Sequence, residues 1–124
     1  MMAQPVVLVD AENVRRSTWP NIEPLQLIES CQAWAERMGL SIELVLEGQG
    51  VEETRTPCLT VVSAGEESAD RWIVRRAQEL RKERRPFWLV TSDRALREDA
   101  GRGAERVVGG GTFARELARG QVLH

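Results

Sequence analysis

Four apolar residues, Val6-Val7-Leu8-Val9, run without a break into Asp10. A strand wetted on one face alternates apolar with polar side chains. An unbroken β-branched run is the pattern of a strand covered on both faces, as in a parallel sheet with helices above and below. Parallel strands cannot be joined by a hairpin, so the chain that follows must cross back over the sheet.

The later pattern agrees. Leu27, Ile28, Cys31, Trp34, Ala35 and Met38 recur at helical spacing over residues 24 to 38, and Gly39 stops that helix. Ile42 to Leu46 predicts a second strand and Leu59 to Val62 a third. Residues 47 to 58 carry no helical signal, yet at about 3.3 Å per extended residue they can run back along a strand. Glu66 to Arg84 predicts a long helix with Ala69, Ile73, Ala77 and Leu80 on one face, ended by Pro86. Phe87 to Val90 predicts a fourth strand, Asp93 to Glu98 a short helix, and Arg106 to Val108 a fifth strand. Gly109-Gly110-Gly111 leads into a last helix through Phe113 and Leu117. The alternation predicts an α/β fold: a three-layer α/β/α domain with a mostly parallel five-stranded sheet. No linker or repeat interrupts it, and a chain of 124 residues lies in the single-domain range, so residues 1–124 are expected to form one domain.

Composition removes several chemistries. The only histidine is His124, which argues against histidine general bases, Ser-His-Asp triads and His-ligated zinc. Cys31 and Cys58 lack metal or disulfide spacing. No apolar run approaches a membrane span, and Met1 to Pro5 lacks a secretion signal's features, so a cytoplasmic protein is expected. Net charge is −2, without a bulk basic signature, but sixteen of the seventeen cationic residues are Arg, whose fork matches phosphate.

Open parallel sheets bind ligands beyond the carboxyl ends of their strands. There the first strand delivers Asp10, Glu12 and Asn13, and the second delivers Glu47. The third leads to Glu66, Glu67 and Asp70, and the fourth delivers Thr91, Ser92 and Asp93. Each acid has a structural alternative. Asp93 can cap a helix, and Glu66 and Glu67 can sit at a helix N-terminus. Asp70 is expected near the sheet-facing side of its helix, paired with Arg71 or Arg75 or else sharing a cation with Asp10 and Asp93. Crowded carboxylates repel unless neutralised, and Mg²⁺ or Mn²⁺ takes oxygen ligands. Metal-assisted phosphodiester hydrolysis is the reaction class that suits an acidic site without histidine.

These motifs resemble a known family. Val-Leu-Val-Asp10-Ala-Glu-Asn13 looks like the first-strand signature of NYN domains, and Glu66 through Ile73 resembles their acid-led helix. Leu89-Val90-Thr91-Ser92-Asp93 resembles their fourth strand, and Gly109 through Leu117 resembles the closing segment of the YacP-like branch. The resemblance spans most of the chain. It implies a PIN-like fold with strand order 3-2-1-4-5 and a Mg²⁺- or Mn²⁺-dependent ribonuclease. By position it makes Asp10, Asp70 and Asp93 metal ligands, directly or through water. Asn13 would fix Asp10 or the attacking water, and Ser92 would support the site by hydrogen bonding. Glu47, where many relatives have Asp, and Glu67 are further candidates for the metal. RNA contacts are expected from Arg15, Arg16, Arg71 and Arg94, each within a few residues of a proposed ligand. The implied partner is RNA, whether mRNA, tRNA or rRNA, and a homodimer is compatible with the pattern.

Three other readings compete. A catalytically inactive PIN-like RNA-binding adaptor would share the fold. A flavodoxin-like receiver also gathers acids at strand ends, but resembles its kin in needing a Lys after the last strand, whereas Lys82 precedes the fourth. A Rossmann domain needs a glycine-rich turn where Asp10-Ala11-Glu12-Asn13 would repel phosphate.

Overall fold

The computed structural model describes residues 4–122, with side chains described through Gly120, so His124 lies outside the described residues. The apolar run forms β1 (Val6–Asp10), buried along its whole length. Its pleat sends Val7 and Val9 into one core and Val6 and Leu8 into another. A short helix, α1 (Ala11–Arg15), follows directly, and α2 (Pro24–Met38) then crosses back over the sheet. Proline sits comfortably in the first turn of α2 because its missing N–H has no partner there. Gly39 ends the helix with φ +68°, a left-handed conformation that a side chain would resist.

The chain continues as β2 (Ser41–Leu46), β3 (Thr54–Arg55), β4 (Leu59–Ser63) and α3 (Ala69–Lys82). It closes with β5 (Phe87–Val90), α4 (Arg94–Ala100), β6 (Arg106–Val108) and α5 (Gly110–Val122). The sheet order is β3-β4-β2-β1-β5-β6, with every pairing parallel except β3 against β4. Within it, β4-β2-β1-β5-β6 is the expected order 3-2-1-4-5. Side chains from α1, α2 and α5 pack with one face of the sheet, and those of α3 and α4 with the other. Three layers result, as the unbroken apolar strands demanded.

The structure departs from expectation in three places. The sheet has six strands, because the segment after β2 lays Thr54 and Arg55 antiparallel against Val61 and Thr60. Both residues are exposed and the strand is only two residues long, so it carries no apolar periodicity. The long helix begins at Ala69 and not at Glu66, because Ser68 caps it by accepting the Arg71 N–H at 3.1 Å. Finally, α1 is too short to show a helical stripe and was not legible as an element.

The core on the α3 side rests on Ile73, fully buried among Ala69, Ala77 and Leu80. Ile73→Ala should lower unfolding free energy in urea by roughly 2 to 5 kcal/mol. Leu25→Ala, at a position 69 % exposed, should stay within about 0.5 kcal/mol of wild type.

Candidate active site

Beyond the carboxyl ends of β1, β2 and β5 lies a cavity of about 670 Å³ lined by Asp10, Asn13, Glu47, Asp70, Ser92 and Asp93, with Glu12, Arg16, Ser17 and Gly111 completing the wall. Asp10 lies at its base and is only 6 % exposed. It is there because β1 is one of the two central strands, paired with β2 on one side and β5 on the other. Its Oδ2 accepts a 2.9 Å hydrogen bond from the Thr91 hydroxyl, and the Asn13 backbone N–H donates to the same carboxylate.

Thr91 is the organising residue that sequence reasoning placed at the strand end without giving it a role. It is fully buried, and each of its polar groups is used. Its N–H bonds the Val108 carbonyl, its hydroxyl serves Asp10 while accepting the Asp93 N–H at 3.2 Å, and its carbonyl accepts from Arg97 Nε at 2.8 Å. A β-branched hydroxyl directly after an apolar strand was the available signal.

Asn13 and Ser92 bracket the site. Asn13 Oδ1 accepts the Ser92 N–H at 2.8 Å, and Ser92 Oγ accepts the Gly110 N–H at 2.9 Å. Three segments, α1, the β5–α4 turn and the start of α5, are thereby tied together. Gly110 permits the close approach, since a Cβ there would lie 2.1 Å from Asn13 Oδ1.

The remaining carboxylates stand on the rim. Asp93 caps α4 by accepting the Leu96 N–H on Oδ1 at 2.9 Å, which leaves Oδ2 without a partner among the described residues. Glu47 Oε1 accepts the Ala69 N–H at 3.1 Å, so its Oε2 is likewise unengaged. Asp70 was expected on the sheet-facing side of its helix, and the structure corrects this: it is exposed. One residue beyond the buried Ala69, it is turned about 100° away from the core. The proposed partners for it are also absent. Arg75 pairs with Glu67, and among the described residues no ion pair joins Arg71 or any other cation to Asp10, Asp70 or Asp93.

The other candidates are dispersed. Glu67 and Arg71 lie in a neighbouring groove between α3 and α4 that also includes Asp70. Arg15 donates to Glu12 at 2.6 Å and to the Ile22 carbonyl at 2.7 Å. Arg16 is the one sequence-predicted arginine that lines the cavity, and Arg94 lines neither the cavity nor the groove.

Burial pushes the Asp10 carboxyl up from 3.8 to about 6, with Asp70 and Asp93 adding repulsion against the pull of Thr91 and Asn13. Asp70 is raised as well, by partial burial first and then by Asp93 and Glu47. The donor set is all oxygen and anionic, which fits a hard divalent cation. Among the described residues, however, no three acidic, Cys or His side chains group tightly enough to hold an ion by themselves. With that spacing, an ion would be held by one or two of these carboxylates directly and by the others only through waters.

A mostly parallel α/β sheet with acids gathered beyond its central strands fits a PIN-like domain. The family model for the YacP-like NYN domain matches residues 8–121, and the chain belongs to that family. Membership supports a nuclease-like function. The fold is also similar to two crystal structures of Rae1 (YacP) from Bacillus subtilis. One, a tryptophan-to-leucine mutant, has 23% sequence identity over 94% of this chain and 76% of that one, with a TM-score of 0.71. The second has 22% identity over 94% and 75%, also at 0.71. Likeness at that identity establishes the fold. No curated protein matches the chain. No helix among the described residues is long and apolar enough to cross a membrane.

The raised Asp10 carboxyl makes a prediction about pH. Well below 3.8 both folded and unfolded chains hold the proton, so this residue makes no difference to stability. Above about 6 neither holds it, and the folded chain alone carries a buried charge. Stability should therefore fall as pH rises between those values, by about 3 kcal/mol in all. Asp10→Asn should remove most of that decline and be more stable than wild type at pH 7, as measured by urea unfolding across the range without divalent cations.

Proposed function

We propose that the chain is a metal-dependent ribonuclease that hydrolyses RNA phosphodiester bonds at Asp10, Asp70 and Asp93. The observation that carries this reading is that Asp10, Glu47, Asp70 and Asp93 line one cavity, Asp10 buried, with no ion pair to any of the four among the described residues. Uncompensated negative charge at a strand-end crevice is costly and calls for a cation.

In this reading Asp10 is the anchoring ligand, held in one orientation by Thr91 and the Asn13 N–H. Asp93 and Glu47 each use one oxygen to cap a helix and present the other, directly or through water. Asp70 completes the rim from α3. Bound Mg²⁺ or Mn²⁺ supplies the activation of water and the neutralisation of phosphate oxygens. Asn13 and Ser92 keep the three segments in register rather than touching substrate, and Arg16 offers its fork to a phosphate from the cavity wall. Glu67, occupied by Arg75, takes no part.

One observation favours a second reading, an RNA-binding adaptor without catalysis: the acids ring the cavity and do not close on a point. Incubation with single-stranded RNA separates the two. The proposal expects cleavage with Mg²⁺ or Mn²⁺, none with EDTA, and a loss of at least about a hundredfold in Asp10→Asn and Asp93→Asn. Binding without cleavage under every metal condition would leave the adaptor.

A further inference from the structure

The two flanks of the cavity differ in charge. On one flank, the neighbouring groove between α3 and α4 holds Glu67, Asp70 and Asp99 with Arg71 and Arg75, and Arg75 is already paired with Glu67. On the α1–α5 side, Glu12 is neutralised by Arg15, and the Arg16 side chain is 70 % exposed with only a 3.6 Å contact to Glu12. Arg115 of α5 reaches the same rim. A Cβ on the cavity-lining Gly111 would lie 3.6 Å from Arg115 Nη1 and 3.9 Å from Ser17 Cβ.

The loop leaving that rim displays an aromatic ring. Residues 16 to 21 are clamped at their base, where the Ile22 N–H bonds the Arg15 carbonyl at 3.1 Å and Arg15 Nε bonds the Ile22 carbonyl at 2.7 Å. The Ser17 hydroxyl bonds the Val14 carbonyl at 2.6 Å, and the Thr18 hydroxyl bonds the Pro20 carbonyl at 3.1 Å. On this tied loop Trp19 is 91 % exposed. Two residues from Ser17, its Cα lies within about 7 Å of that cavity-lining residue. A large aromatic held in water on an internally bonded loop contributes nothing to the core, while single-stranded nucleic acid is bound by aromatic platforms beside cationic tracks.

We propose that single-stranded RNA leaves the candidate site across the α1–α5 rim, with Arg16 and Arg115 on its phosphates and Trp19 stacked on a base. This rests on the ribonuclease reading for the position of the scissile phosphate, but the contacts themselves belong to binding. Stacking is tolerant of base identity and scales with ring size, so Trp19 supplies affinity with a preference for purines rather than a sequence code.

The test is the affinity of fluorescent 12-nucleotide oligoadenylate and oligouridylate, read by anisotropy in the Asp93→Asn background with Mn²⁺ across a salt series. Trp19→Ala should weaken oligoadenylate binding by about tenfold and oligouridylate binding less, leaving the salt slope unchanged. Trp19→Phe should recover most of the loss. Arg115→Ala should instead reduce the magnitude of the slope of log affinity against log salt by about 0.7, and Arg102→Ala, at an exposed position before the amino end of β6, should leave it unchanged. Wild-type affinity in Trp19→Ala, or a slope that responds to Arg102 and not to Arg115, overturns the proposal. If Trp19→Ala leaves RNA affinity intact but dissociates a dimer in sedimentation, the ring is a subunit contact instead. Cleavage by the parent protein is scored separately. Cleavage without a Trp19 effect defeats only this inference, whereas a Trp19 effect without cleavage defeats only the ribonuclease reading.

Discussion

Everything at the candidate site follows from one placement: a carboxylate at the end of a strand that is buried along its whole length. Asp10 is only 6 % exposed, because its strand lies between β2 and β5 and helices cover both faces of the sheet. A buried carboxylate must be protonated, paired or bound to a cation. Thr91 and Asn13 supply hydrogen bonds, no counter-charge is paired with Asp10 among the described residues, and Asp70 and Asp93 add like charges. The surrounding bonds make sense as reinforcement of that arrangement. Thr91 joins Asp10 to the turn carrying Asp93, and the Asn13–Ser92–Gly110 chain locks α1, the turn and α5 against being pushed apart.

How far the sequence revealed this differs from one element to another. The strands β1 and β5 and the helix α2 were legible to the residue, because burial from both sides and a helical stripe leave strong patterns. The two-residue β3 and five-residue α1 were not, since neither is long enough to show a period. Asp10, Asp93 and Asn13 were proposed from their positions after strand ends, and the structure places all three on one cavity. Asp70 reached the cavity for a different reason than expected. Capping by Ser68 sets the start of the helix, and that phase turns Asp70 outward onto the rim. Glu67 and Arg75 pair with each other across eight residues, a contact that neither local spacing nor residue type announces. Thr91 was visible as the residue after an apolar strand, but its role depends on the β1–β5 pairing that places it beside Asp10.

Family and geometry contribute different things. Membership in the YacP-like NYN family covers residues 8–121 and speaks for a nuclease-like function, while the likeness to the Rae1 (YacP) structures speaks for the fold. Neither says why these acids tolerate one another. In the proposed reading, the site is strained when empty and relieved by a cation. Such repulsion is a property of the folded state alone, so it is open to measurement without knowledge of any RNA target.

Thermal melting of wild type and Asp70→Asn, each with EDTA and with Mn²⁺, tests that claim most directly. The account predicts that the variant melts above the wild type in EDTA, by about 2 to 4 °C, because one source of repulsion is gone. Mn²⁺ should then raise the wild-type melting temperature well beyond that of the variant, since the ion binds the folded site and not the unfolded chain. A variant that melts below wild type in EDTA, together with a wild type indifferent to Mn²⁺, would show that Asp70 is a structural residue and that the cluster holds no cation.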